Sequence, residues 1–397
     1  MSTWDLERFV DREKVLNDIR GKINRLARGY PFAPHERVIH VVGPSGIGKS
    51  YLFKKCYKTF DIDPKCVPIL IQLETIGVKD KEFIDTFLDA VHEKFCVYKS
   101  ISVEKQSGKT REQFVSHLHR VINVRGKDEI IILFLDEINV PERKELQDIE
   151  EKLLVKLLHE NERFVLITAG RSSPSMLIDF ALRPSPANTF LLSAFDKKTT
   201  GEQLEKLRPG SESLAGKVLE LGSGFPGNNT KLAGHIVGEP PNILNELQAV
   251  QSLLADVTEE IEGPLRPILE TICVLQAFIP EDVAPLIKSH PALGEQWTEA
   301  RIKEVFPELK QVQIGPGGLI NWDREKRSWI MDEPTRSLFE RELKMRDPDL
   351  WVKLHCVAYQ MYKNWGKDFS SQLFKDKAVY HQQCLQSAGM GCDDLEG

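Results

Sequence analysis

An α/β fold is predicted for this sequence: a parallel-sheet core, then two mainly helical regions. Three observations predict it. Apolar runs without polar alternation recur at Val38–Val42, "CVPILIQLE" (66–74), "IIILFLDE" (130–137), "RFVLITAG" (163–170) and, more weakly, "NTFLLSAF" (188–195). Such runs are what strands buried on both faces look like, and parallel sheets bury both faces. Helical periodicity fills the gaps between the runs, as crossovers between parallel strands require. The first run ends in a glycine-rich loop, "GPSGIGKS" (43–50), that opens a helix.

The elements follow in order. Residues 12 to 28 place Val15, Leu16, Ile19, Ile23 and Leu26 on one helical face. The loop "GYPFAPHE" delivers the first strand. After the second strand, residues 80 to 96 carry Phe83, Ile84, Phe87, Leu88, Val91 and Phe95 on one side of a helix, and another helix spans 111 to 123. Residues 1–195 thus form the core. After Phe195 the strands are expected to stop, and residues 196–260 form a helical lid subdomain, all-helical over 196–256. Residues 261–345 differ. Helices rich in Leu, Ile and Val lead to two β-like runs, Leu319–Trp322 and Ser328–Met331, around the charged turn Asp323–Arg327. Helices followed by a hairpin predict a winged helix. Residues 346–397 carry one aromatic-rich helix to about 375, with Trp351, Leu354, Tyr359 and Tyr362, then a frayed tail.

Composition narrows the function classes. With 397 residues, 41% hydrophobic and 28% charged, the chain can bury a core. A net charge of −6 does not suggest nucleic-acid binding by bulk charge. The longest clean apolar run, Ile130–Leu135, is far too short to cross a bilayer, so no membrane partner is expected. The first residues show no signal-peptide pattern, which points to the cytoplasm. Seven cysteines without a C-x-x-C pair point to free thiols. His381, Cys384 and Cys392 lie near one another in sequence, but a metal site there would need a fourth ligand and a better spacing.

The loop carries the chemistry. Gly43, Gly48, Lys49 and Ser50 satisfy G-x-x-x-x-G-K-[ST] between a strand and a helix, the context this motif needs to cradle a phosphate chain. The backbone of Gly43, Pro44, Ser45, Gly46, Ile47 and Gly48 would wrap anionic oxygens, and the helix opening at Ser50 and Tyr51 adds its N-terminus. Lys49 would reach the β- and γ-phosphates, and the Ser50 hydroxyl would sit on Mg²⁺. A partial copy, Ser-Gly-Lys-Thr at 107–110, has Val103 where the first glycine belongs and no preceding strand, so it reads as a solvated loop. Asp136 follows Ile130–Leu135 and so sits at a strand tip, where a carboxylate can reach the metal's water shell beside Ser50. Glu137, next to it, can polarise an attacking water. Thr168 and Arg171 end the next strand, which should lie beside the loop strand, placing Arg171 to pair with the γ-phosphate. ATP or ADP with Mg²⁺ is the expected ligand.

With these residues in place, the chain resembles the STAND class of P-loop ATPases, within the wider AAA+ group, and is similar to archaeal origin-recognition ATPases. "FVDREKVLNDI" (9–19) resembles the family's entry box, which implies that Val10 and Arg12 touch the nucleotide; Asp11 replaces the family's glycine. "GPSGIGKS" and "ILFLDE" are the second and third shared features. "GSGFPGNN" (222–229) resembles the G-x-P signature, which implies that Pro226 packs on adenine. "WIMDEPTRSLF" resembles the M-H-D-x-x-R segment, with Met331 and Arg336 in register. The family's histidine is Asp332 here, and an ionised aspartate has no proton to donate to a phosphate. The resemblance implies a P-loop NTPase core, a helical lid subdomain and a winged-helix domain, working as a slow ATP-hydrolysing switch in signalling or defence with nucleotide-dependent self-association. It also implies an arginine such as Arg183, before the last strand, reaching a neighbour's phosphate.

Two rivals stand beside this reading. In a DNA-binding initiator or regulator, the winged helix would read DNA. The candidate recognition helix Thr298–Leu309 holds Arg301 and Lys303 but interleaves Glu299, Glu304 and Glu308, which weighs against DNA. Arg324, Lys326 and Arg327 in the hairpin turn are left as phosphate contacts. The other rival is a scaffold with a dead site, which the intact Lys49, Asp136 and Glu137 weigh against. The sequence names neither the activating signal nor a protein partner or sensor.

Overall fold

The computed structural model describes residues 10–392 apart from Ser45, Gly126, Glu142, Leu244, Ile302 and the stretches 77–81, 99–109, 139–140, 172–181, 259–260, 262–264, 294–296, 298–299, 305–308, 310–318 and 324–326. The chain divides into two compact units, Met1–Phe195 and Asp196–Gly397.

In the first unit, α1 (Glu13–Ala27) precedes β1 (Val38–Val42), α2 (Lys49–Asp61), β2 (Cys66–Gln72), α3 (Phe83–Tyr98), α4 (Arg111–Arg125) and β3 (Ile130–Asp136). Then come α5 (Arg143–Ile149), a π-helical turn (Glu150–Leu154), α6 (Val155–Glu160), β4 (Phe164–Gly170) and β5 (Thr189–Leu191). The five strands form one sheet in the order β2-β3-β4-β1-β5, and every neighbouring pair is parallel. The α/β class and parallel sheet are as the apolar runs predict. Every residue of β1, β3 and β4 is buried, so neither face of these strands needs a polar residue. One core fills the side where Phe87, Phe95, Leu133, Leu153 and Leu157 pack, each essentially inaccessible. Each such side chain contributes about 1.5–3 kcal/mol of burial.

Polar groups finish the sheet. Asn188 Nδ2 donates to the carbonyls of Glu36 (2.8 Å) and Val38 (3.0 Å), pinning the start of β1. Buried Arg37 donates to the carbonyls of Asn161, Phe164 and Leu158 at the start of β4. The last strand is shorter than its apolar run. Only Thr189–Leu191 pairs, because β5 lies at the edge of the sheet with β1 alone beside it.

The second unit starts with α7 (Lys197–Leu207), α8 (Ala215–Gly222) and α9 (Pro226–Ala233). Here the expectation that strands stop fails. A two-residue hairpin, β6 (Ile236–Val237) against β7 (Asn242–Ile243), precedes α10 (Glu246–Thr258). Two residues per strand leave no alternation to read. Next come α11 (Leu265–Ile272), α12 (Pro280–Ser289), β8 (Ile320–Asp323) and β9 (Ser328–Met331). β8 and β9 pair antiparallel with Ile320 opposite Met331. Phe278 adds a single antiparallel bridge to β9, exchanging both backbone hydrogen bonds with Trp329 at 2.9 and 2.8 Å. Helices followed by a hairpin with such an added bridge form a winged-helix arrangement.

Two expectations about the tail are corrected. The segment after 346 is not one helix. After α13 (Glu333–Arg346), α14 (Pro348–Asp368) and α15 (Gln372–Ser387) form a helical hairpin. Half-buried Phe374 packs against Tyr362 and Trp365 of α14, and the turn at Phe369–Ser371 interrupts what periodicity alone would merge. The cysteines are not all free either. Cys356 and Cys392 form a disulfide, because the chain turns back along α14 and brings their Cα atoms to 5.4 Å. Cys56, Cys66, Cys96, Cys273 and Cys384 are outside any disulfide. Among the described residues, no helix is long and apolar enough to cross a membrane.

Candidate functional site

The site is built at the carboxyl ends of β1, β3 and β4, where ligands of open parallel sheets sit. The loop after β1 turns tightly. A Cβ added at Gly43 would meet Ile47 Cγ2 at 2.8 Å and the Leu192 carbonyl at 3.3 Å, so only glycine fits. Gly48, at φ 95°, opens α2 from the left-handed region. Ile47 is buried and anchors the loop to the core, while Pro44 and Tyr51 are half-buried. Ser45 lies outside the described residues. Lys49 is buried, and its Nζ donates to the carbonyls of Gly43 (2.8 Å) and Pro44 (3.0 Å), so the ammonium curls back over the loop.

Asp136 ends β3 and Glu137 follows it, both buried. The strand order puts β4 between β3 and β1, yet α2 brings the Ser50 hydroxyl close enough to the Asp136 carboxylate to favour its ionised form. Burial raises the Asp136 carboxyl, opposed by Ser50 and by the Lys49 charge. Glu137 sits at φ 59°, an uncommon conformation for a side chain of this size. Its backbone N–H donates to Asp136 Oδ1 at 3.1 Å. Its Oε2 is buried with no hydrogen-bond partner. Burial pushes the Glu137 carboxyl up to about 7, with Lys49 and Arg171 lowering it and Asp136 raising it. A carboxyl tuned near neutrality at a strand tip is a proton acceptor suited to its working pH.

β4 does lie beside β1, with Thr168 opposite His40. Thr168, however, does not face the site: His40 Nδ1 stands 2.6 Å from its hydroxyl inside the sheet. Arg171, one residue past the tip of β4 and half-buried, is close enough for its charge to act on Glu137. Thus Gly43, Gly48, Lys49, Ser50, Asp136, Glu137 and Arg171 come together. Two further charges act on this cluster: Lys54 on Asp136 and Glu74 on Glu137. Both had a signal in the sequence. Lys54 lies just over one helical turn beyond Lys49, and Glu74 follows an apolar run as Asp136 does.

Val10 is buried. Arg12, at φ 77°, places its guanidinium on protein groups. It donates to the carbonyls of Ile47 (3.5 Å) and Ser193 (2.5 Å), pairs with Asp11 at 2.9 Å, and stacks 4.9 Å from the Phe195 ring centroid. Arg12 therefore braces the back of the loop. Pro226 belongs to the second unit, where it occupies the first turn of α9 after Gly224 at φ 74°. Its carbonyl accepts from Gln203 Nε2 at 3.1 Å and Thr230 Oγ1 at 2.9 Å. Arg183 is exposed. In the same unit as Pro226, the Asp332 carboxylate accepts from Thr335 Oγ1 at 2.9 Å. Arg336 is buried on the Cys273 carbonyl (2.8 Å) and on Glu333 and Glu340.

The candidate recognition helix lies largely outside the described residues, as do Arg324 and Lys326 of the wing turn. Where it is described, Arg301 stacks on Trp297 at 4.6 Å and Lys303 pairs with Glu281 at 3.5 Å.

The Ser50 hydroxyl beside the Asp136 carboxylate is an oxygen-only donor set suited to Mg²⁺, and the orphaned Glu137 Oε2 next to it is an acceptor in search of a proton. These residues fit a magnesium nucleotide.

No family model matches the chain, and neither does any curated protein. Solved structures do resemble it. Cdc6p from Pyrobaculum aerophilum is 12% identical over 85% of this chain and 96% of that one, with a TM-score of 0.43. The Aeropyrum pernix ORC1 protein, solved in complex with DNA, is 15% identical over 86% of this chain and 93% of that one, with a TM-score of 0.45. A Pyrococcus horikoshii signal transduction ATPase with numerous domains (STAND), with a tetratricopeptide repeat sensor, is 14% identical over 96% of this chain and 53% of that one, with a TM-score of 0.38. These are the two groups that the motifs resemble. At such identities and TM-scores the likeness carries no argument about activity.

Proposed function

We propose that the chain is an ATP-binding switch that hydrolyses ATP slowly with Mg²⁺. One observation carries the reading. Lys49, on a loop where Gly43 cannot be replaced without a clash, stands close enough for its charge to act on both Asp136 and Glu137, at the tip of β3. A phosphate chain held by the loop would take Lys49 from the Gly43 and Pro44 carbonyls. Ser50 and Asp136 would hold the metal, which neutralises charge on the transferred phosphoryl group when bound. Glu137 would orient a water and receive its proton, and Arg171 would pair with the γ-phosphate. Val10 and Arg12 would frame the base side through the loop backbone, and Pro226 would report nucleotide state to the second unit. Arg301 and Lys303 are exposed, and the acidic Glu299, Glu304 and Glu308 interleaved with them in the sequence are what weigh against a DNA reader.

Two substitutions test it. Lys49→Ala removes a point charge from the phosphates, so the thermal shift produced by ATP and Mg²⁺ should vanish while the ligand-free melting temperature stays near that of wild type. Glu137→Gln should keep ATP affinity and lose most turnover, the pattern of an interaction made only in the transition state. An unchanged ATP shift in Lys49→Ala sinks the nucleotide site. Loss of binding in Glu137→Gln, or no turnover in wild type, leaves a site that holds nucleotide without consuming it.

A further inference from the structure

The tail of the second unit gathers a second group of chemically capable side chains. Glu340, His355 and Cys384 come from α13, α14 and α15, and their donor atoms all lie within 4.8 Å of one another. His355 is 0% exposed. Its Nε2 stands 3.3 Å from Glu340 Oε1 but forms no hydrogen bond. Its Nδ1 lies 3.0 Å from Nδ1 of His381. The unpartnered Nε2 of His355 is buried beside the Glu340 oxygen and the Cys384 sulfur, where one cation could meet all three donor atoms. Metal-ligating histidines are oriented by a partner on their far nitrogen in this way.

We propose that Glu340, His355 and Cys384 bind a zinc-type divalent transition-metal ion, with the fourth position left to solvent. A thiolate with an imidazole and a carboxylate selects such an ion over Mg²⁺ or Ca²⁺. Bonds of about 2.0–2.3 Å imply tetrahedral ligand–ligand edges of about 3.3–3.8 Å. The His355–Glu340 edge already has that length, and the widest edge needs to contract by about 1 Å. Glu340 and Cys384 are half-buried, so their side chains can supply the movement and solvent can reach the ion. Arg336 Nη1 holds the other Glu340 oxygen at 2.7 Å, leaving Oε1 directed at His355. Burial and the Glu340 charge raise the Cys384 thiol, with Tyr380, Arg336 and Lys344 opposing them, so binding of the ion would release the thiol proton. The carboxylate and thiolate together balance the ion's charge. Of the three tail residues singled out from the sequence, only Cys384 joins this site. Cys392 is taken by Cys356, and His381 stands behind His355. The ion would tie α13, α14 and α15 together, coupling metal binding to the stability of the tail.

The test is cobalt(II) titration of the nucleotide-free full chain, without reductant so that the disulfide stays intact, followed by absorption. Bound zinc is counted after dialysis. The expected result is one ion per chain, tetrahedral cobalt bands and a thiolate-to-cobalt charge-transfer band, with zinc raising the melting temperature. Cys384→Ser should lose the charge-transfer band, and His355→Gln should weaken binding at least tenfold. If either variant fails to fold, Glu340→Gln, which keeps size and shape, should show the weakened binding instead. Substoichiometric zinc in wild type, a band that persists in Cys384→Ser, or a cobalt spectrum without thiolate character would each overturn the site. The last result would place the ion on oxygen and nitrogen ligands elsewhere.

Discussion

Glu137 concentrates the chemistry of the first unit in one side chain. Burial raises its carboxyl from 4.5 to about 7, so the folded protein holds this proton more tightly than the unfolded chain does. The resulting stability is fully present below about pH 4.5 and is lost as pH rises through about 7. Wild type should therefore lose on the order of 2 kcal/mol relative to Glu137→Gln between pH 5 and pH 8. Urea unfolding of nucleotide-free protein at the two pH values measures this, and parallel pH dependences in the two proteins would refute a desolvated carboxyl. The same proton must leave before Glu137 can receive one from water. ATP turnover should therefore rise with pH through about 7, on a limb that Glu137→Gln lacks.

At the scale of the element, the loop between β1 and α2 depends on the absence of a side chain. Gly43→Ala would place a Cβ 2.8 Å from Ile47 Cγ2 and 3.3 Å from the Leu192 carbonyl. Ile47 is buried and Leu192 belongs to the segment after β5, so the loop itself must move. ATP affinity should fall at least tenfold, with about 1–3 kcal/mol lost in stability. Calorimetric titration with ATP and Mg²⁺ decides the first part, and unchanged affinity would show that the loop tolerates displacement. Gly46 offers a contrast. A Cβ there meets open space, and only its φ of 73° penalises a side chain, so Gly46→Ala should cost about 1–2 kcal/mol from backbone strain alone.

At the scale of the whole molecule, the proposed switch predicts an effect of concentration. Arg183 is exposed ahead of β5, where a second copy could receive it. An arginine supplied in trans accelerates phosphoryl transfer by about a thousand-fold or more. Turnover per subunit should then rise with protein concentration in wild type and stay flat in Arg183→Ala. Identical, concentration-independent activity in both would leave a monomeric switch and remove Arg183 from the mechanism.

Some of this was legible in the residues and some was not. Unbroken apolar runs identify buried parallel strands because neither face can be polar, so the sheet was readable from Ile130–Leu135 and its counterparts. The phosphate loop was readable because its spacing is a local property of consecutive residues. The edge strand β5 was overestimated, since an apolar run does not state how many of its residues find a partner. The hairpin β6–β7 and helix α15 were missed, the first for being too short to show a period and the second because Phe374 continues the aromatic pattern of α14 across the turn. Long-range contacts outside the phosphate motif and its neighbouring strand tips stayed out of reach. Sequence spacing could not say that Arg12 spends its guanidinium on Ile47 and Ser193, that Thr168 is occupied by His40, or that Cys392 pairs with Cys356. By itself the sequence determined the strands, the loop and the carboxylates at the tip of β3, because each is encoded within a dozen adjacent residues. Only the tertiary structure decided which side chains outside that motif meet, such as Arg12 with Ser193 or Cys356 with Cys392, since those encounters depend on how the chain packs and not on any pattern along it.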